Sequence, residues 1–402
     1  MGLAVEQTPD PKSELSPREI NSIVTSIVFF TFVCYLTIGM PLAVLPKFVH
    51  GSLGFGTVLA GVTVSAQYFA SPLNRSLAGR MADSTGAKLT VVTGLGVCAL
   101  SGLSLPLAQY LQATPPASLT VLLFGRVILG FGESWVGTGA IVWGIGRVGA
   151  LNTARVISLN GMTTYGAIAL GAPLGVLLND RFGLIGIGLV MTTLALTGLF
   201  IAIPRPASAV VMGPRMPIGS VLGRVTPFGL ALAAGSVGFG SISTFVTLFY
   251  ASQHWENAAF ALTAFGGMFV AVRLVFTRSI ETHGGYRVAI VCLAVETLGL
   301  IGLTFAPSAL SAMAGAGVAG AGMALLFPAL GTELVSRVPP TSRGAALGVF
   351  NVFLDLCLGA TGPLAGLLAR SVGFRGVYAT AAVAGTVGII LAVGLWSRAR
   401  KT

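Results

Sequence analysis

Long apolar runs alternate with short polar, Gly- or Pro-bearing breaks from Ile20 almost to the C-terminus. The first run, Ile20 to Leu45, follows a polar tail of mixed charge. It is too long for a signal-peptide core and has no small-x-small cleavage site, so it predicts a retained first span. A hydrocarbon core takes about 20 helical residues. The breaks then delimit twelve spans, near 21–46, 57–78, 89–111, 118–144, 155–178 and 184–203, then 225–250, 258–277, 288–306, 310–335, 344–369 and 375–397. Between the sixth and seventh runs, Pro204 to Arg224 carries Pro206, Pro214, Pro217 and three arginines, and reads as a linker. The expected organisation is an all-α membrane protein: a tail over 1–20, a six-helix bundle over 21–203, the linker 204–224, a second bundle over 225–397 and a tail over 398–402.

The two halves repeat. Arg75, Arg80, Asp83 and Gly86 return at one common offset as Arg273, Arg278, Glu281 and Gly284, each group just after an apolar run. Pro173, Leu174, Leu177, Leu178 and Gly183 return at a slightly shorter offset as Pro363, Leu364, Leu367, Leu368 and Gly373. Such a period is far too long for a solenoid. It predicts a duplicated, pseudo-twofold transporter.

Composition agrees. The chain is 54% hydrophobic and 9% charged, too few charges to keep a soluble surface wet, and its 55 glycines suit close helix packing in lipid. The net charge of +11 does not form a nucleic-acid patch. Lys and Arg fall in the tails, the linker and alternate loops, except Lys47, Arg181, Arg370 and Arg375 on the other side and Arg75, Arg126 and Arg273 within or at the ends of spans. The positive-inside rule then places both termini in the cytoplasm of a bacterial inner membrane. Cys34, Cys98, Cys292 and Cys357 lie in apolar runs without CxxC spacing, and His50, His254 and His283 lie in loops. No metal site or bound cofactor is expected, and an enzyme embedded in the membrane lacks a convergent nucleophile and base.

Residues 35–46 (Tyr-Leu-Thr-Ile-Gly-Met-Pro-Leu-Ala-Val-Leu-Pro), 171–178 (Gly-Ala-Pro-Leu-Gly-Val-Leu-Leu) and the loop 79–88 carry a resemblance over essentially the whole chain. The sequence resembles the major facilitator superfamily, its drug–proton antiporter type, and within that the YhhS/YfcJ subfamily. The family's loop pattern G-x-x-x-D-x-x-G-x-K/R is matched by Gly79, Asp83, Gly86 and Lys88; Ser84 and Ala87 stand where basic residues are frequent. In the second copy Thr277 replaces the first Gly and Glu281 the Asp. The resemblance implies twelve helices around a central cavity and a monomer. It also implies an antiporter signature at Gly171, Pro173 and Gly175, and a coupling signature on the fourth span matched by Arg126 and Gly130.

Read from their own chemistry, Gly79, Arg80, Asp83, Gly86 and Lys88, with Arg278 and Glu281, suit a conformational latch at the inner helix ends. Arg126 and Glu133 lie deep in the fourth run, where a charge costs about 2.5–3.5 kcal/mol. Seven residues return within about 20° on a helix, some 10 Å along its axis, so the two share a face with Gly130 and Gly137 but are too far apart to pair simply. Asp355 lies mid-span in the eleventh run, with Asn351 one turn earlier. Desolvation disfavours a lone anion there, so Asp355 suits proton loading and release; a packing hydrogen bond to Asn351 is the alternative. Glu296 is expected to pair with Arg273. Tyr35, Tyr68, Trp135, Tyr165 and Phe239 are candidate substrate contacts, with helix packing as the competing reading. The expected function is export of a small organic molecule in exchange for protons by alternating access. A proton-coupled importer of a sugar or organic acid is the rival, and a scaffold or sensor built on the same fold is another. The cargo itself, the proton stoichiometry and the acid that carries the proton stay open.

Overall fold

Helix ends follow local chemistry. The Glu19 N–H donates to Ser16 Oγ while the Ser16 N–H donates to the Glu19 carboxylate, a capping box that starts the helix Pro17–Leu42. Ser308 and Ser311 cap Ala309–Met323 in the same reciprocal way. Pro115 and Pro116 open Pro115–Val148, where a missing N–H costs nothing. The computed structural model describes residues 16–149, 152–208, 218–276, 278–338 and 343–400, leaving aside the side chains of residues 76, 83, 154, 218 and 343–345. Every regular element among the described residues is helical.

Eight stretches are long and apolar enough to cross a membrane, and two of them, Arg155–Ala202 and Ala346–Ala399, reach 48 and 54 residues. Those two reverse at Gly183 and Gly373, with φ of 64° and 71°. With Thr57–Met81, whose Gln67, Asn74 and Arg75 dilute its hydropathy, and the 17-residue Ala259–Val275, the described residues make twelve traverses. The third span is broken at Leu103 and the tenth near Ala324. The seventh helix, Ile218–Ser252, begins inside the stretch expected to be linker. Its first turns are held by the Arg224 guanidinium donating to the Arg337 carbonyl at 3.0 Å. Residues 1–15 of the tail and 209–217 of the linker lie outside the described residues.

The duplication is written in the backbone. Gly183 and Gly373 occupy matching reversals, and Gly86 (φ 101°) and Gly284 (φ 80°) open the third and ninth spans. A side chain at these dihedrals is strained, which is why glycine stands at both copies. Large apolar side chains such as Leu73, Phe124, Phe200, Phe305 and Ile390 face outward, as lipid requires.

The halves meet along two seams. The second span lies antiparallel to the eleventh, and a Cβ on Gly61 would land on the Gly362 carbonyl. Thr57 Oγ1 donates to the Gly366 carbonyl at 2.8 Å and Ser65 Oγ to that of Leu358 at 3.2 Å. The fifth span lies against the eighth, where Thr263 Oγ1 donates to the Ala169 carbonyl at 2.9 Å.

Candidate functional site

The fourth span sets Arg126, Gly130 and Glu133 on one face, turned toward the second span. Gly130 permits that approach, since a Cβ there would meet the Gln67 carbonyl. Arg126 is 3% exposed, and its Nη2 donates to the Val64 carbonyl at 3.3 Å. Its Nε and Nη1 have no hydrogen-bond partner. Glu133, also buried, accepts from Tyr35 Oη at 3.0 Å and from Gln67 Nε2 at 3.3 Å. Tyr35 therefore touches a candidate acid on the fourth span. Tyr68 is buried within electrostatic reach of Arg126, Glu133, Tyr165 and Asp355. The expected polar residues thus share one neighbourhood spanning both bundles.

Asp355 does not bond Asn351, whose amide donates to its own helix at the Leu347 carbonyl (3.0 Å). It instead pairs with Arg75 of the other bundle, Nε to Oδ2 at 2.6 Å, and accepts from Ser71 Oγ at 3.4 Å. Arg75 and Ser71 were missed as site residues. Arg75 was visible as a repeated residue before the loop motif, but periodicity within one helix cannot name a partner on another.

The expected Glu296–Arg273 pair does not form. Arg273 Nε donates to the Ala324 carbonyl (2.8 Å), its Nη1 donates across the seam to the Ser158 carbonyl (3.2 Å), and its guanidinium lies over the Phe269 ring. Glu296 faces inward within its own bundle, against Gly235 and Gly238, and neither of its carboxyl oxygens has a partner. Neighbouring spans present different faces, so adjacency in sequence did not bring these charges together. With no ion pair to lose, Glu296→Gln is expected to leave the thermal midpoint of the detergent-solubilised protein unchanged. A fall of several degrees would show a partnership that this packing lacks.

Tyr165 stacks on Phe269 with centroids 3.8 Å apart and meets Phe239 edge-on at 5.5 Å. These rings pack across the fifth, seventh and eighth spans. Trp135 Nε1 is buried without a partner. Gly171 and Gly175 abut the first span at Gly39 and Met40, where a Cβ on Gly175 would fall on the Met40 carbonyl, and Pro173 lies between them within the fifth span.

Of the latch residues, Lys88 Nζ donates to the Ile203 carbonyl at 2.5 Å, covering the C-terminal end of the sixth span. Arg80, Arg278 and Glu281 are exposed, and Gly79 lies within the last turn of the helix Thr57–Met81. The side chain of Asp83 lies outside the described residues, as does Thr277. A clip unforeseen from sequence appears in the second half. Glu333 accepts from the Gly285 N–H at 2.9 Å, a carboxylate at the positive end of the ninth span.

Comparison with known proteins fits this architecture. The sequence profile of the Major Facilitator Superfamily matches residues 27–280 and 228–402, two overlapping matches that together cover both halves. An uncharacterized MFS-type transporter of Burkholderia pseudomallei (strain 1106a) is 51% identical over 395 residues, covering 98% of this chain and 96% of the relative. One of Pseudomonas aeruginosa (strain LESB58) is 50% identical over 400 residues, covering 99% and 100%. Among solved structures, a D-xylose-proton symporter superposes with a TM-score of 0.76 at 14% identity, covering 93% of this chain and 97% of the other. The nucleoside transporter NupG gives 0.73 at 14% identity over 92% and 99%. The human organic anion transporter MFSD10 (TETRAN) gives 0.70 at 13% identity over 94% and 100%. At these identities the structural likeness is one of fold. Two repeated six-helix halves, charged residues buried where they meet, and relatives half identical along nearly their whole length make this chain a member of the Major Facilitator Superfamily, a multi-pass membrane transporter rather than an enzyme.

Proposed function

We propose that the protein exports a small organic molecule across the bacterial inner membrane in exchange for protons, as a monomer working by alternating access. This is the drug–proton antiporter type that the fifth-span glycines and the YhhS/YfcJ-like segments suggest. The observation that carries the reading is the Arg75–Asp355 pair, because it joins the two bundles. A proton and the Arg75 guanidinium compete for the same carboxylate, so loading Asp355 gives up the ion pair and reforming the pair expels the proton. The seam between the second and eleventh spans then answers to the proton gradient. The other seam has no such switch at its equivalent arginine, since Arg273 bonds carbonyls. Glu133, held by Tyr35 and Gln67, is a second acid that a cargo molecule can displace from its partners. The excess of Lys and Arg in alternate loops supports cytoplasmic termini.

The test uses everted vesicles energised to an acid interior, with a pH dye and a broad compound panel. Export by exchange is expected to give dye recovery on adding a transported compound. If recovery is absent for every compound while right-side-out vesicles accumulate one of them under an inward proton gradient, the protein is an importer and the proposed direction is wrong.

A further inference from the structure

Among the buried charges at the centre, Arg126 stands out by what its partners leave undone. A guanidinium carries five N–H donors in a planar fork. Here one reaches a backbone carbonyl at 3.3 Å, while Nε and Nη1 have no hydrogen-bond partner although the residue is only 3% exposed. The two acids that could neutralise it are engaged. Glu133 accepts from Tyr35 and Gln67, and it lies two turns deeper, about 10 Å along the helix axis. Asp355 is taken by Arg75 at 2.6 Å. A single carbonyl does not compensate a buried cation, and such a charge within a span marks a ligand or ion path.

The direction of the fork narrows the ligand. Arg126 is buried against the second span, where it bonds Val64, and that span also packs on the eleventh across the seam, so the guanidinium faces the protein interior and not the lipid. Free Nε and Nη donors match the two oxygens of a carboxylate. One arginine balances one negative charge, and the Glu133 carboxyl on the same helix face opposes a second.

We propose that Arg126 anchors the carboxylate of the transported compound, which makes the cargo a small organic monocarboxylate with an uncharged body. This rests on the transport reading above, but its test needs neither a proton gradient nor flux, so the two fail separately. Purified protein in detergent at fixed pH is heated with benzoate, hexanoate or lactate, each beside its own amide. A ligand that binds the folded state raises the thermal midpoint with concentration. At least one acid is expected to raise it where the matching amide does not. Arg126→Gln should remove that shift, and Arg126→Lys, which keeps the charge but loses the fork, should weaken binding roughly thirtyfold or more. Without ligand, Arg126→Gln should melt no lower than the wild type, because an uncompensated buried charge has been removed. The proposal is overturned if no acid shifts the midpoint, if acid and amide act alike, or if Arg126→Gln keeps the response. A ligand-free Arg126→Gln that melts far below the wild type, or fails to fold, would make the arginine structural and equally sink it.

Discussion

Asp355→Asn is expected to abolish the dye recovery that a transported compound produces in everted vesicles, and to destabilise the folded protein. Breaking a buried ion pair by removing one partner costs about 3–5 kcal/mol, because the other charge stays behind uncompensated. The side chain of Asp355 is 4% exposed and that of Arg75 21%, so the lower end of that range applies. The double variant Arg75→Gln/Asp355→Asn separates the two effects. With neither charge left, stability should return close to that of the wild type, since neutral replacements for a buried pair are frequently tolerated. Coupling should stay lost, because the carboxylate that exchanges a proton for a guanidinium is gone. Thermal midpoints in detergent read the first quantity and vesicle dye recovery the second. A single variant that still couples, or a double variant that couples like the wild type, would move the proton elsewhere, with Glu133 the next acid to test.

The duplication explains why one seam carries this switch and the other does not. Arg75 and Arg273 are copies, and both reach across to the opposite bundle. By the offset that relates the fifth and eleventh spans, the position of Asp355 corresponds to Tyr165, which stacks on Phe269 beside Arg273. One copy thus meets a carboxylate and the other an aromatic and backbone surface. Twelve spans, the central break and the paired glycines at the reversals were legible because each depends on residues close in sequence. Gly183 and Gly373, or Gly86 and Gly284, announce their backbone conformation by what they are. Partnerships across the bundles were not legible. Asp355 suggested Asn351 because they share a helix face, and Glu296 suggested Arg273 because their spans are consecutive. Helix packing decided otherwise, turning Asp355 to Arg75 and Glu296 to the glycines of the seventh span. The early start of the seventh helix was hidden for a related reason, since Gly219, Gly223 and Arg224 read as linker until a partner for Arg224 was visible.

The seam itself should be lockable. Near one end of the second and eleventh spans, Thr57 Oγ1 lies 2.8 Å from the Gly366 carbonyl, and a Cβ on Gly366 would press against the Thr57 backbone. Further along, Gly61 and Gly362 let the backbones touch, and beyond them the Arg75–Asp355 pair closes the contact. Alternating access requires this end to part in the opposite state. With the four native cysteines replaced by serine, Thr57→Cys/Gly366→Cys brings two thiols to a separation that a disulfide can span. Mild oxidation is expected to cross-link them within one chain and stop transport almost completely. Reduction should restore transport to the level of the Gly366→Cys single variant, which carries the crowding of a Cβ at that position, and either single cysteine should be unaffected by oxidant. Because the bridge adds no charge, touches none of the buried charged side chains and lies three turns from Asp355 along the eleventh span, lost transport would report the lost motion of the seam and not a damaged site. Full activity of the cross-linked protein would mean that these helices stay together through the cycle, and that the opening which admits the cargo lies elsewhere between the halves.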